Sequence, residues 1–517
     1  MNETERPRLA EMAIFGIWLF VIGVGVLVHE PWFDEAQAWL LARDASLLDL
    51  LTKYLRYEGH PPLWYFILHV PAALGMPYKT INVVSALIAA GGVLLLLLNR
   101  EIPLVIRGLL PFTYFVAYQY TIISRSYVLI LPLLLAILAI YPRRRERLWL
   151  FVLLLALLCH VSLHATAMAG ALTLVYGSEL IRDGFPRGAE LRKHIAAAAV
   201  LLLNVALIAL MLRTPADIAI RPNLEPLTRY RIEAISWHGL TANLGGSGSV
   251  SELIVSLLAF ILLVIWFLRR GTLVTFVLLI IFLVPIASVY FNYWHEGLFF
   301  IAITFSILLT FIRAKQTPRS SRDQRYDLVM TAVVALLLLR SISATWASYT
   351  FDINYPYSGS QAAAEFIKEH RIDRARLFGA GFPSLAIQPY FARNVFANYQ
   401  SSGGFSFWDW SSRTPWFYRP ATILKRDELK AWQAKQIAQR PDYFLVSVKF
   451  PSDGLYAEAL QAAGYVEIAS FPGALFWKHR PVEAEGYRLF ARPDLVKTPP
   501  PSPAPAVAPS RTGTQPR

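Results

Sequence analysis

The chain has 517 residues, 55% of them hydrophobic and only 16% charged, with a net charge of +14. That balance excludes a disordered chain and a string of ordinary soluble domains, and it indicates a polytopic α-helical membrane protein. Much of the positive excess sits in short connections between apolar segments, where topology and anionic headgroups explain it. No nucleic-acid motif is present, so nucleic acid is not an expected partner.

The first apolar segment, 12–28, runs into His29-Glu30-Pro31-Trp32 without a small-residue cleavage site and reads as an uncleaved anchor. Directly after it come the adjacent carboxylates Asp34 and Glu35. Acids beside a span are unfavourable near lipid and are therefore candidates for function. Asp34 followed by Gln37 also fits a capping box, which would make Asp34 a helix cap. The stretch closes on Glu58-Gly59-His60-Pro61-Pro62. Pro61 to Gly75, 15 residues, is short for a hydrocarbon core of roughly 30 Å. It reads as a juxtamembrane or half-inserted helix opened by prolines, with a tilted span as the alternative.

Apolar segments follow near 81–98, 108–122, 125–141, 148–163, 165–181, 195–212, 251–268, 272–290, 297–312 and 327–346. With the first they predict about 11 spans plus juxtamembrane helices. The connections Arg143 to Arg147, Arg182 to Lys193, Arg269-Arg270 and Arg313 to Arg325 are strongly basic and are assigned to the cytoplasm. Parity then puts the N-terminus inside. Asp34, the 213–250 loop, Asn292 to Gly297 and everything after Trp346 lie outside.

Within the spans, Arg125 in Ile123-Ser124-Arg125-Ser126-Tyr127 starts a segment at the outer face, where it either meets an anionic group or snorkels to headgroups. His295 and Glu296, in Asn292-Tyr293-Trp294-His295-Glu296-Gly297, form a second outer cluster, set against an aromatic belt with ordinary polar loop residues, which is the plainer explanation for Glu296. His160 and His164 stand at i, i+4. Without a third ligand they read as an inward-facing polar pair rather than a metal site. The single cysteine, Cys159, lies in an apolar segment and forms no intramolecular disulfide. Gly245 to Ser249 is a flexible loop, lacking the strand and the Lys-Ser/Thr of a phosphate cradle.

From Asp352 to about Leu495, helix-like stretches (Gln361 to His370, Asp427 to Gln439, Leu455 to Ala463) alternate with apolar runs (Arg376 to Gly379, Tyr443 to Val448, Val466 to Phe471, Ala474 to Trp477). This predicts an extracytoplasmic α/β domain. The expected division is 1–347 transmembrane, 348–495 α/β, and 496–517 a disordered Pro-rich tail.

The acid pair after the first span and the His60-Pro61-Pro62 before the next resemble the GT-C superfamily of membrane glycosyltransferases, especially the branch with protein O-mannosyltransferases and lipid A aminoarabinose transferases. The resemblance covers roughly the first 150 residues and the general plan of many spans with an outer C-terminal domain. It implies transfer of a sugar from a polyprenyl-phosphate donor to a hydroxyl on a glycan, lipid or protein acceptor, at the extracytoplasmic face of a bacterial-type plasma membrane. Asp34 would act as general base with Glu35 as helper or reserve. His60, Arg125, Tyr127, His295 and Glu296 would bind substrate, the Arg facing the developing phosphate charge. No cofactor is expected, and no metal cluster suggests a divalent ion. Residues matching the lipid A transferases in the C-terminal domain, or a sequon-reading motif, are not found. The alternative is a transporter or flippase of a lipid-linked or small polar substrate, which should show internal repeats that the sequence lacks.

Overall fold

The computed structural model describes residues 6–218, 250–289, 291–316, 320–399, 406–411 and 426–496. The Pro-rich tail from Thr498, the 245–249 glycine run and most of the 213–250 loop fall outside that set. The chain forms two compact units, one of residues 1–28 and 45–349, the other of 29–44 and 350–517. The expected boundary at 347/348 thus lies at 349/350. Residues 29–44, assigned from sequence to the transmembrane domain, associate instead with the C-terminal unit.

The first unit is helical. Among the described residues six helices are long and apolar enough to cross a membrane: Arg8–Val28, Thr80–Leu98, Ser126–Arg143, Gly188–Met211, Tyr293–Gln316 and Ser321–Asn354. Leu148–Cys159 and Leu273–Val289 are apolar but shorter, at 12 and 17 residues. Glu296–Gln316 is buried almost throughout and forms the centre of the unit. Gly92 lets helix Thr80–Leu98 close on Pro132, whose Cγ would stand 2.8 Å from an added Cβ.

One expected span is not a continuous helix. The 108–122 stretch is broken into Leu104–Leu109, a 3-10 turn Leu110–Phe112 and a π turn Tyr114–Gln119. Pro111 removes a helical donor, and Thr113 is extended at ψ 154°. Irregular backbone in an apolar interior is tolerated only where protein satisfies it. Here neighbouring helices do so. Trp18 Nε1 donates to the Pro111 carbonyl at 3.0 Å and Thr345 Oγ1 to that of Phe112 at 2.8 Å. Ser341 Oγ accepts the Tyr114 N–H at 3.2 Å, Ser85 Oγ donates to Thr121 O at 2.7 Å, and Asn82 Nδ2 to Ile122 O at 3.0 Å.

Ion pairs gather the basic connections at one end of this unit. Arg144 and Arg313 share Glu179, and Arg145 pairs with Asp183. Arg313 reaches the Gly271 carbonyl and Lys315 that of Arg100, while Arg100 and Arg107 flank Glu11. The opposite end joins Leu63 to the His160 carbonyl, Arg56 to the Arg213 carbonyl and Tyr120 to the Trp294 carbonyl. Helix Leu63–Ala73, 11 residues long, starts there. It leads into Thr80–Leu98, whose first turn meets Ser124 at that same end through Asn82. Among the described residues it is one of the apolar helices shorter than those long enough to cross a membrane.

The second unit is α/β. Strands β1 (Leu377–Ala380), β2 (Tyr443–Ser447), β3 (Val466–Phe471), β4 (Ala474–Trp477), β5 (Arg480–Ala484) and β6 (Tyr487–Ala491) form a four-stranded sheet in the order β1-β2-β6-β3 and a β4-β5 hairpin. β1 and β2 are parallel, whereas β6 is antiparallel to both of its neighbours. Phe378, Phe444, Val446, Tyr456, Leu460, Tyr465 and Phe490 form the core. Helices Ser360–Glu369, Arg426–Ile437 and Pro451–Ala462 match the helix-like stretches. β5 and β6 were not foreseen: Arg480, Pro481 and Glu483 do not alternate as a strand, and β6 is short and carries Arg488.

Helix Phe33–Asp44 belongs to this unit. Phe33 packs edge-on against Phe382 with ring centroids 4.9 Å apart. Gln37 Nε2 donates to the Trp408 carbonyl at 2.9 Å while its Oε1 accepts the Trp408 N–H at 2.7 Å. That reciprocal pair occupies the side chain a capping box would need.

Candidate functional site

Two polar clusters stand out, each within one unit. In the second unit the acid helix begins at Phe33, because the Ala36 N–H donates to the Trp32 carbonyl at 3.0 Å. Trp32 is therefore the cap residue, and Asp34 lies inside the first turn. The capping role belongs to Glu35, whose Oε2 accepts the Trp32 N–H at 3.2 Å. Fully buried Glu35 also meets His29 Nε2 at 3.2 Å, and His29 Nδ1 lies 2.9 Å from Asp352 Oδ2. Burial alone would lower the His29 pKa. The Asp352 and Glu35 carboxylates outweigh it and raise the value to about 9. His29 is thus an imidazolium donating from both nitrogens.

Asp34, half-buried, faces a different set of charges. Buried Lys449 Nζ sits 2.9 Å from Glu485 Oε2, 3.2 Å from Glu483 Oε2 and 4.8 Å from the centre of the Trp32 ring. Glu485 Oε1 accepts the Phe33 N–H at 3.1 Å. Asp34 interacts electrostatically with both Lys449 and Glu485. The two adjacent acids therefore differ in kind. Glu35 is tied into the fold, and Asp34 reaches the half-exposed edge of the helix start.

In the first unit, a 3-10 turn Tyr293–His295 opens the central helix. His295 Nδ1 accepts the Asn292 N–H at 2.8 Å, so the ring proton resides on Nε2 and is donated to Tyr127 Oη at 3.0 Å. Tyr127 then has its own hydroxyl proton to donate elsewhere. His164 stacks on His295, centroids 5.0 Å apart at 23°. Its Nε2 is buried without a hydrogen-bond partner among the described residues, as is Ser126 Oγ. Arg125, half-buried at the start of Ser126–Leu129, and His60 both lie within electrostatic reach of His295. Gly59, with a φ of 66°, ends the preceding helix, and the half-buried His60 after it donates its Nδ1–H to the Glu58 carbonyl at 2.7 Å.

Glu296 is buried at the N-terminus of the central helix, where the dipole favours an anion. Gly297 follows because nothing larger fits: a Cβ there would stand 2.4 Å from Phe115 and 2.5 Å from Tyr120 Oη.

The expected His160–His164 pair does not form. The helix stops at Cys159 and a new one starts at Leu163, so the i, i+4 spacing spans a break. His160 turns to Asn204 Oδ1 at 2.9 Å. His60, Arg125, Tyr127, His295 and Glu296, chosen from sequence at well-separated positions, lie in one neighbourhood together with His164 and Ser126. His29, Asp352, Lys449 and Glu485 were not singled out, since no spacing links them before the chain folds.

A cation, hydroxyl donors and a ring nitrogen so arranged suit the oxygens of an anion such as a phosphate ester. Among the described residues no three His, Cys, Asp or Glu side chains gather as a metal-holding group. Comparison with known proteins finds no matching family model, no matching curated protein and no matching solved structure.

Proposed function

We propose that this chain is an integral membrane glycosyltransferase that moves a sugar from a polyprenyl-phosphate donor to a hydroxyl acceptor at the extracytoplasmic face. The observation that carries the reading is the network Arg125, Tyr127, His164, His295 and His60, at the end of the helical unit opposite its basic loops. In this reading the basic end is cytoplasmic and about 11 passes cross the bilayer, the broken 104–122 segment being one of them. Arg125 and the Tyr127 hydroxyl hold the donor phosphate and stabilise the charge that builds on it as the anomeric C–O bond breaks. Asp34, in the second unit, takes the proton of the acceptor hydroxyl, a role that rests on its resemblance to the acid of GT-C transferases.

A broken, buried helix beside a cationic cluster would also suit a transporter of lipid-linked substrates. The two readings separate in one assay. Proteoliposomes are loaded with polyprenyl-phosphate sugar labelled in its phosphate, and release of polyprenyl phosphate is followed with a soluble glycan, lipid or peptide acceptor. The enzyme reading expects acceptor-dependent release, lost by orders of magnitude in Arg125→Ala, since one preorganised charge contact contributes about 3 kcal/mol to such steps. Arg125→Lys should recover part, lacking the planar fork. Movement of intact donor between leaflets without release would favour the transporter.

A further inference from the structure

We propose that Lys449 is a positioning residue for the Asp34 carboxylate, with Glu485 as its anchor, an inference that rests on reading Asp34 as the base. Three features support it. Lys449 is buried yet ends in a charged group directed to the first turn of the acid helix, between the Trp32 ring and Glu485. Glu485 grips that same turn through the Phe33 N–H. Glu485 is itself rigidly seated: its N–H donates to the Gly473 carbonyl at 2.8 Å and its carbonyl accepts the Gly359 N–H at 2.9 Å. Gly473 is required there, as a Cβ would fall 2.5 Å from the Glu485 carbonyl.

A pair made only for stability gains little from being buried, since well-packed apolar side chains serve as well or better. Here the charges do not balance as a pair. Glu483 on β5, Glu485 beyond it and Asp34 on the acid helix all surround Lys449. Burial alone would lower the Lys449 pKa, but Glu485 and Glu483 raise it on balance, so the ammonium stays charged. One fixed cation stands among three carboxylates, of which Glu483 is held by the β4-β5 hairpin and Glu485 by its backbone bonds to Gly473 and Gly359, which leaves Asp34 as the acid whose orientation the cation sets.

The test reads Asp34 directly and needs no substrate. Full-length protein in nanodiscs is treated with a water-soluble carbodiimide and glycine ethyl ester, and labelling of the Asp34 peptide is measured by mass spectrometry against pH. Carbodiimide attacks the protonated acid. Lys449→Gln should therefore move the labelling midpoint upward, as loss of a neighbouring opposite charge does. Lys449→Arg should restore it. Glu485→Gln should move it the other way, because an anion is removed and Lys449 is left to Asp34. An unmoved midpoint in folded Lys449→Gln overturns the proposal. If that variant does not fold, an unmoved or raised midpoint in Glu485→Gln overturns it. Full transfer by Asp34→Asn would sink the base assignment while leaving the labelling result intact, so the two failures are distinguishable.

Discussion

His29 and Asp352, 323 positions apart in the chain, share a 2.9 Å hydrogen bond in the interior of the second unit, and Glu35 closes the same imidazole from its other nitrogen. This ties the start of the acid helix to the segment that opens the α/β fold.

That bond sets a pH dependence. The folded-state pKa of His29, about 9, exceeds the 6.5 of an ordinary imidazole. Its contribution to stability is thus fully present below pH 6.5 and is lost as pH rises through 9. A shift of that size corresponds to a few kcal/mol. Thermal unfolding of the purified protein should show a falling melting temperature between these limits, and His29→Gln should be less stable at pH 6 and nearly flat across the window. Parallel slopes for both proteins would remove His29 from the account.

The two adjacent acids should separate under mutation. Asp34→Asn should abolish transfer with little loss of stability, because the helix start depends on Trp32, Glu35 and Glu485. Glu35→Gln should do the reverse, losing about 1–3 kcal/mol through a weakened contact to buried His29, with activity reduced less. Paired unfolding curves and transfer rates check this, and equal behaviour of the two variants would contradict it.

Gly297 offers a packing test. Alanine there would place its methyl 2.4 Å from Phe115 and 2.5 Å from Tyr120, the residue that holds the Trp294 carbonyl. Gly297→Ala should cost about 1–3 kcal/mol by overpacking and should displace the His295 turn. Gly91→Ala, with nothing within 4 Å of an added Cβ, is the control and should be neutral or stabilising. Similar melting temperatures for both variants would show that the central helix yields at no cost.

Orientation can be read with single cysteines in a Cys159→Ala background. Ser126 is buried and unsuited, whereas Thr52 and Glu146 are exposed at opposite ends of the helical unit. An impermeant maleimide should label Thr52→Cys in intact cells and Glu146→Cys only after permeabilisation. The opposite pattern would reverse the proposed topology.

The apolar runs alone determined most helix positions, since hydrophobic length and basic flanks are local properties of the chain. The same holds for helices 360–369, 426–437 and 451–462 and for β1 to β4. Local signals also marked Asp34, Arg125 and His295 as unusual, because an ionisable group beside an apolar run can be recognised without knowing its partners. The break in 108–122 was concealed by its hydrophobicity. Whether such backbone bends or stays helical depends on whether Trp18, Ser85, Ser341 and Thr345 arrive to satisfy it. Strand β6 is central because β2 and β3 pair with it on either side, which five residues containing an arginine cannot announce. The distinction between Asp34 and Glu35 likewise came from His29, Asp352, Lys449 and Glu485. A carboxylate's role depends on which charges fold around it, and those charges came together only through tertiary contact.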